Sequence, residues 1–255
     1  MKRLVIKILE KGLAVLPAPW ALKLGALHRK LARHLPPGIR AEIGYYEGIV
    51  VSVDTTYPIE REMVSGAYNP PAIKIMESLL QKGDVVVDVG ANVGAIALVA
   101  SVLVADEGKV VAVEPGRFAL ERMQATLAKN RIRNIQPVKC GIGDHACTMF
   151  WSMDRNYPGN ASLSDAAGDE EIPVRTLDSL VEELGLKVDF LKIDVEGMEL
   201  PVLKGARETL RRSRPVILFE TLKEWRELKG NAYFIELENL LLENGYVLYT
   251  ASPPH

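Results

Sequence analysis

The chain has 255 residues, 48% of them hydrophobic and 25% charged, which is enough to bury the core of one globular domain and too apolar for a disordered protein. A formal net charge of −2 argues against a wholly basic nucleic-acid binder, and no nucleic-acid partner is expected. Two cysteines, Cys140 and Cys147, are too few for a disulfide scaffold and lack metal-site spacing, which fits a reducing, cytoplasmic setting.

The charge is unevenly spread. Residues 1–40 hold nine Lys or Arg against Glu10 alone, a local charge of +8 that leaves −10 for the remainder. Leu4, Ile8 and Leu9 share one helical stripe, and Trp20, Leu24, Leu27, Leu31 and Leu35 share another beyond the breaker LPAP. Lys23, Arg29, Lys30 and Arg33 fall on the opposite face. Residues 1–40 are therefore expected to form a basic amphipathic helical arm, and residues 41–255 the main domain. Two readings of the arm stand. The favoured one is a cap whose stripe packs on the domain; the other is peripheral contact of residues 1–37 with an anionic membrane. Pro17, Pro19 and Lys23 interrupt the longest apolar stretch, so no spanning helix is expected. Lys7, Glu10 and Lys11 likewise break up any signal-peptide core.

Beyond PPG at 36–38 come strand-like residues in GIVVSVD, a short helix in IEREMV and a helix from Pro71 to Gln81. A regular alternation follows: strand 85–89, helix 92–104, strand 109–113, helix 117–130 and strand 136–140. It lapses between 141 and 175 into a polar stretch with one hairpin, then resumes. The second run is helix 176–184, strand 188–193, helix 199–213, strand 215–219, helix 224–243 and a last strand at 246–250. Alternating βαβ units predict an α/β fold, a mostly parallel doubly wound sheet with helices on both faces.

In such a sheet, ligands gather at the carboxyl ends of the strands. VVVDVGANVG, residues 85–94, places Gly90 and Gly94 at the first of these ends, with Ala91 and Asn92 between them and Asp88 just before. A dinucleotide site needs G-x-G-x-x-G so that a pyrophosphate can rest on the helix N-terminus. Here the spacing is G-x-N-x-G, and Asp88 would repel a diphosphate, so a cationic ligand fits better. Glu114 ends the second strand, where an acidic residue accepts ribose hydroxyls, and Asp144 follows the third, where it can accept from an adenine amine. Together these features predict an adenosine-bearing cation, S-adenosylmethionine, as cofactor. A plain turn role for Asp144 and an NAD-dependent enzyme on a similar sheet are the alternatives.

A second cluster lies in VDFLKIDVEGMELPVLKGARETL, residues 188–210. Asp194 ends the fourth strand and Glu196 precedes the next helix, while Glu220 ends the fifth strand in PVILFE. Helix capping for Asp194 and first-turn dipole complementarity for Glu196 are the simpler roles.

At this point the chain resembles the FkbM-type methyltransferases. The resemblance rests on GDVVVDVGANVGAIAL, VVAVEP, CGIGD, VRTLDSL, FLKIDVEGMELPVLKGA and ILFE, in that order, across about residues 66–222. It implies a class I methyltransferase Rossmann-like fold and cofactor roles for Gly90, Asn92, Gly94 and Glu114. It also implies an active-site position for Lys192 to Gly197, and a small hydroxylated acceptor such as a sugar or natural product. GNASL, 159–163, resembles the family segment expected over the substrate. Where the family often has Tyr-Glu-Pro, this chain reads AYNPP, with Asn69 in the acidic position.

O-methylation of a neutral hydroxyl needs a base, for which Glu196 is favoured, with Asp194 orienting a reactant and Glu220 supporting the acceptor pocket. Tyr68 and Tyr157 are candidates for packing on cofactor or acceptor. No ligand spacing demands a metal and none is expected, the alternative being a divalent cation held by paired carboxylates at neighbouring strand ends. The alternative from another class is a non-catalytic cofactor-binding module recruited through the arm.

Overall fold

A computed structural model describes residues 34–64, 68–153, 161–164, 168–219 and 228–249. The expected helices of residues 1–33, Tyr157 and Glu220 lie outside them.

The described chain opens with an antiparallel hairpin, β1 (Arg40–Gly44) and β2 (Val50–Asp54). Two helices follow, α1 (Pro58–Met63) and α2 (Pro70–Leu79). Prolines sit at the start of each, where a missing N–H removes no helical bond. Asn69 caps α2 from a left-handed conformation, its side chain accepting from the Ala72 amide at 3.3 Å. Then come β3 (Val85–Val89), α3 (Ala95–Val104), β4 (Lys109–Val113), α4 (Arg117–Asn130) and β5 (Ile135–Val138). After an inserted stretch the alternation closes with α5 (Leu177–Glu183), β10 (Phe190–Ile193), α6 (Glu199–Lys204), α7 (Arg207–Arg212), β11 (Val216–Phe219) and α8 (Asn231–Glu243).

The five long-range strands form one parallel sheet in the order β11-β10-β3-β4-β5. Both of its faces are buried, which is why the strands read as runs of Val, Ile and Leu rather than as alternating polar and apolar residues. The period of two still sorts them. Val86, Val110, Ala112 and Phe190 pack with α2, α3, α4 and the hairpin. Val87, Val89, Val111, Val113, Leu191 and Ile193 pack with α5 to α8. This is the doubly wound arrangement expected from the alternation.

The insertion forms a separate four-stranded sheet. It consists of β6 (Gly141–Ile142), β7 (Cys147–Met153), β8 (Ala161–Ser164) and β9 (Glu170–Arg175), in the order β6-β9-β7-β8. The sequence pointed to one hairpin here. The sheet is larger because Met149, Trp151, Ile172 and Val174, at every second position, point inward and supply a buried face.

Other expectations shift for local reasons. The helix expected from residue 92 begins at Ala95, because Asn92 and Gly94 have φ of 50 and 86 and shape a turn. The helix expected over 199–213 is two helices, broken at Gly205. A Cβ there would stand 2.0 Å from the Gly143 carbonyl oxygen, so α6 ends directly against the inserted sheet. Residues 246–249 form no strand. Leu35 and Ile39, 8% and 4% exposed, already belong to the core ahead of β1.

Polar contacts bolt the hairpin to α4. The Asn130 side chain accepts from the Val50 amide and donates to its carbonyl, both at 2.8 Å. Glu60 of α1, almost fully buried, pairs with Arg122, whose guanidinium lies 5.7 Å from the Tyr57 ring and 5.5 Å from that of Phe118. These ties hold α1 across the carboxyl ends of the central strands.

Candidate active site

Strand register assembles the site. Asp88 lies opposite Lys192 across β3 and β10, and Val89 lies opposite Val113, so Gly90 and Glu114 leave adjacent strand ends. Asp88, Glu114, Lys192 and Asp194 share the parity that points toward α3, α4 and the hairpin. At their mouth is a cavity of about 290 Å³ lined by Gly90, Ala91, Asn92, Glu114, Lys192 and Asp194. Ile59 of α1, Tyr68, Trp151, Glu196 and Met198 also line it.

The turn from Gly90 to Gly94 uses all of its amides internally. Those of Gly90 and Ala91 both donate to the Val113 carbonyl at 3.0 Å. That of Asn92 donates to Glu114 Oε2 at 2.8 Å, that of Val93 to Asn92 Oδ1 at 2.8 Å, and that of Gly94 to the Ala91 carbonyl at 2.9 Å. A phosphate-binding loop does the reverse and aims its amides at the ligand. The glycines serve packing: a Cβ on Gly90 would meet the Asp194 carbonyl oxygen at 1.9 Å, and one on Gly94 would meet Met123 Cγ at 2.8 Å.

Glu114 is 6% exposed and accepts from the Asn92 and Gly116 amides, both at 2.8 Å. Burial pushes its carboxyl up to about 7, against the opposing pull of those two amides. Each oxygen takes one amide and keeps a further lone pair for a hydroxyl donor.

Lys192 is buried with its Nζ 3.1 Å from Asp88 Oδ1, 3.4 Å from Asp194 Oδ2 and 3.3 Å from the Gly90 carbonyl. Burial alone would lower its pKa, but Asp88 and Asp194 outweigh it and hold the ammonium protonated. Asp88 is fully buried. Burial raises its pKa while Lys192 opposes the rise, and neither oxygen accepts a well-directed hydrogen bond. The 3.1 Å approach is therefore an ion pair without hydrogen-bond geometry, and its charges decide the cluster's state. Asp88 lies beneath the cavity wall rather than in it. Lys192, which sequence reasoning treated only as part of a motif, is the residue that links Asp88, Gly90 and Asp194. A lone Lys amid apolar residues near a strand end was the available signal.

Glu196 lines the cavity in a left-handed conformation, φ 54, followed by Gly197 at φ 90. The turn is held from below by two residues that sequence reasoning did not single out. Glu199, 3% exposed, accepts from the Gly197 amide at 3.0 Å; Tyr233 of α8 donates to the Gly197 carbonyl and accepts from the Leu200 amide, each at 2.9 Å. Burial pushes Tyr233 up to about 12, so the hydroxyl stays protonated and able to donate. Tyr233→Phe leaves a carbonyl and an amide without that partner, and an expected loss of about 1–3 kcal/mol should appear as a lower denaturation midpoint with unchanged slope.

Asp144 does not reach the cavity. Its side chain is 47% exposed and pairs with His145 at 2.7 Å, because Gly143 turns the chain away against α6. Cys140, Gly141 and Ile142 line the cavity in its place. Gly94 likewise caps α3 without lining the cavity. Among the described residues, no group of three or more His, Cys, Asp or Glu is placed to hold a metal, and no helix is long and apolar enough to cross a membrane.

Residues 88–248 match the family described as the methyltransferase FkbM domain, and the chain belongs to that family. Methyltransferase sdnD of Sordaria araneosa is 27% identical over 157 residues, 48% of this chain and 60% of that protein. Methyltransferase 1 of Beauveria bassiana (strain ARSEF 2860) is 24% identical over 143 residues, 47% and 57% of the two chains. The chain thus spans less than two thirds of the length of either curated relative. Among solved structures, the methyltransferase FkbM from Methylobacillus flagellatus KT aligns with TM-score 0.45 and 18% identity, covering 72% of this chain and 46% of that one. Aeropyrum pernix fibrillarin, solved with S-adenosyl-L-methionine, aligns with TM-score 0.45 and 16% identity, over 84% and 76%. The family match, not these structural likenesses, carries the assignment. S-adenosylmethionine is the cofactor that a methyltransferase family implies. The residues fit it: a buried carboxylate with spare lone pairs at the β4 end, and a glycine turn with no amide left for phosphate.

Proposed function

We propose that the protein is an S-adenosylmethionine-dependent methyltransferase that methylates a hydroxyl of a small molecule. The observation that carries the cofactor reading is the full internal engagement of the amides of Gly90 to Gly94, beside Glu114. Such a wall suits a ligand that brings hydroxyl donors and positive charge, and it opposes a dinucleotide.

When bound, the cofactor supplies an electrophilic methyl group on a sulfonium. The protein's part is positioning and charge. Glu114 offers its remaining lone pairs to the ribose hydroxyls. Gly90, Ala91 and Asn92 present a flat backbone wall. Lys192 holds Asp194 by its carboxylate and Gly90 by its carbonyl, which fixes the distance between the cofactor turn and the acceptor side. Glu196, at the cavity and carried on a turn braced by Glu199 and Tyr233, accepts the acceptor's hydroxyl proton.

Calorimetric titration tests this directly, with S-adenosylhomocysteine run beside NAD. The wild type is expected to bind the former at micromolar concentration and NAD not at all, and Glu114→Ala to weaken binding about tenfold or more. The pH profile adds a sign. Because burial raises the folded Glu114 to about 7, its neutral form dominates below that value, and a ligand that donates to the carboxylate binds better as pH rises through it. Affinity should climb across that window in the wild type and stay flat in Glu114→Gln. Binding of NAD instead, or an equal affinity in the alanine variant, would sink the assignment.

A further inference from the structure

We propose that Trp151, carried by the inserted sheet rather than by the doubly wound core, is the side chain against which the cofactor's purine stacks, and that it sets the affinity for the adenosine half. The proposal rests on the cofactor reading above. If Glu114 takes the ribose, the methionine end lies toward Gly90, Lys192 and Asp194, and the purine must lie on the other side, toward the end of β5. There the cavity is lined by Pro115, Cys140, Gly141, Ile142 and the ring of Trp151.

Three observations place the indole against that spot. A Cβ built on Gly116 would stand 2.7 Å from Trp151 Cζ2 and 2.8 Å from Glu114 Oε1, so ring and carboxylate are immediate neighbours across one glycine. The φ of Gly116 is −71, open to any residue, so glycine is required there for space and not for conformation. Trp151 is 8% exposed, and its strand is pinned where the Asp169 amide donates to the Trp151 carbonyl at 2.8 Å. On its far side Trp151 borders a second recess with Arg117, Phe118, Asp169 and Glu170, so it forms the partition that closes this end of the cavity. A rigidly held aromatic side chain lining the cavity beside Glu114 matches a purine, whose ring stacks on aromatic side chains.

The test uses the full chain and two probes, S-adenosylhomocysteine and adenosine. With Trp20 and Trp225 replaced by Phe, Trp151 is the remaining tryptophan, and S-adenosylhomocysteine should quench its emission. Trp151→Ala should weaken both probes by the same factor, about tenfold or more, since stacking acts on the shared purine; Trp151→Phe should restore most of it. Gly116→Ala adds a methyl against both the indole and Glu114 Oε1, so it too should weaken both probes, and only the part of its effect that vanishes in a Trp151→Ala background belongs to the indole. Should Trp151→Ala fail to fold, Trp151→Leu and the quenching decide. Unchanged emission, or variants that bind within twofold of the wild type, would overturn the proposal while leaving the cofactor reading intact. A wild type that binds neither probe would overturn both.

Discussion

Alanine at position 90 is expected to destabilise the protein by about 2–5 kcal/mol, combining a left-handed backbone cost with a steric clash. Gly90 has φ 80, and its Cβ would stand 1.9 Å from the Asp194 carbonyl oxygen and 2.9 Å from the carbonyl carbon. Backbone sits on both sides of that clash. The Gly90 amide is tied to Val113 and the Asp194 amide to Val89, each at 3.0 Å, so neither strand end can retreat without breaking the sheet's hydrogen bonds. For a domain of this size the loss corresponds to a fall in melting temperature on the order of 10 °C. Gly83→Ala is the control, because φ there is 90 with nothing within 4 Å of the added methyl. It isolates the backbone term, about 1–2 kcal/mol. Equal losses for the two variants would mean that the β3 and β10 ends are not held together as described.

Replacing Lys192 by Met should cost about 3–5 kcal/mol, the range for removing one partner of a buried ion pair. Asp88 is fully buried and gains no well-directed hydrogen bond in exchange, so its charge would be left facing a methyl group. The double variant Asp88→Asn with Lys192→Met should recover a large part of the loss, and the double-mutant cycle reads the coupling directly. The pH dependence follows from signs. Lys192 has a raised folded pKa, so its contribution in the wild type is complete below the ordinary lysine value of about 10.5 and is lost only as pH rises past it through the folded value. In Lys192→Met, burial and then the neighbouring Asp194 charge favour the neutral form of Asp88, so the variant's deficit should shrink toward acid pH and grow as pH rises. A deficit under 1 kcal/mol at neutral pH, with no such slope, would show that Asp88 is already neutral in the native protein. Such a result would remove Lys192 as the link between the cofactor turn and Asp194.

Much of the fold was legible in the sequence because its information is local. Short runs of β-branched residues alternating with helical periodicity require a parallel sheet with both faces covered, and β3, β4 and α4 fall on their expected residues. The meeting of Gly90, Asn92 and Glu114 at one cavity was legible for the same reason, since they sit at strand ends fixed by that alternation. Asp144 was misplaced because a residue following a strand can turn either way. What decides it is the contact of Gly143 with Gly205, sixty-odd positions away in the chain.

By itself, then, the amino-acid sequence determined the layer architecture, the family and the mouth of the sheet where the cavity lies, all consequences of periodicity and of short motifs. Only the tertiary structure decided the rest. It paired Lys192 with Asp88 through strand register, placed Tyr233 beneath the Glu196 turn, and brought Trp151 from the inserted sheet to the cavity. Each of these is a contact between segments distant in the chain. Its energy depends on burial and on distances that no local pattern encodes, and so it becomes readable only once the chain is folded.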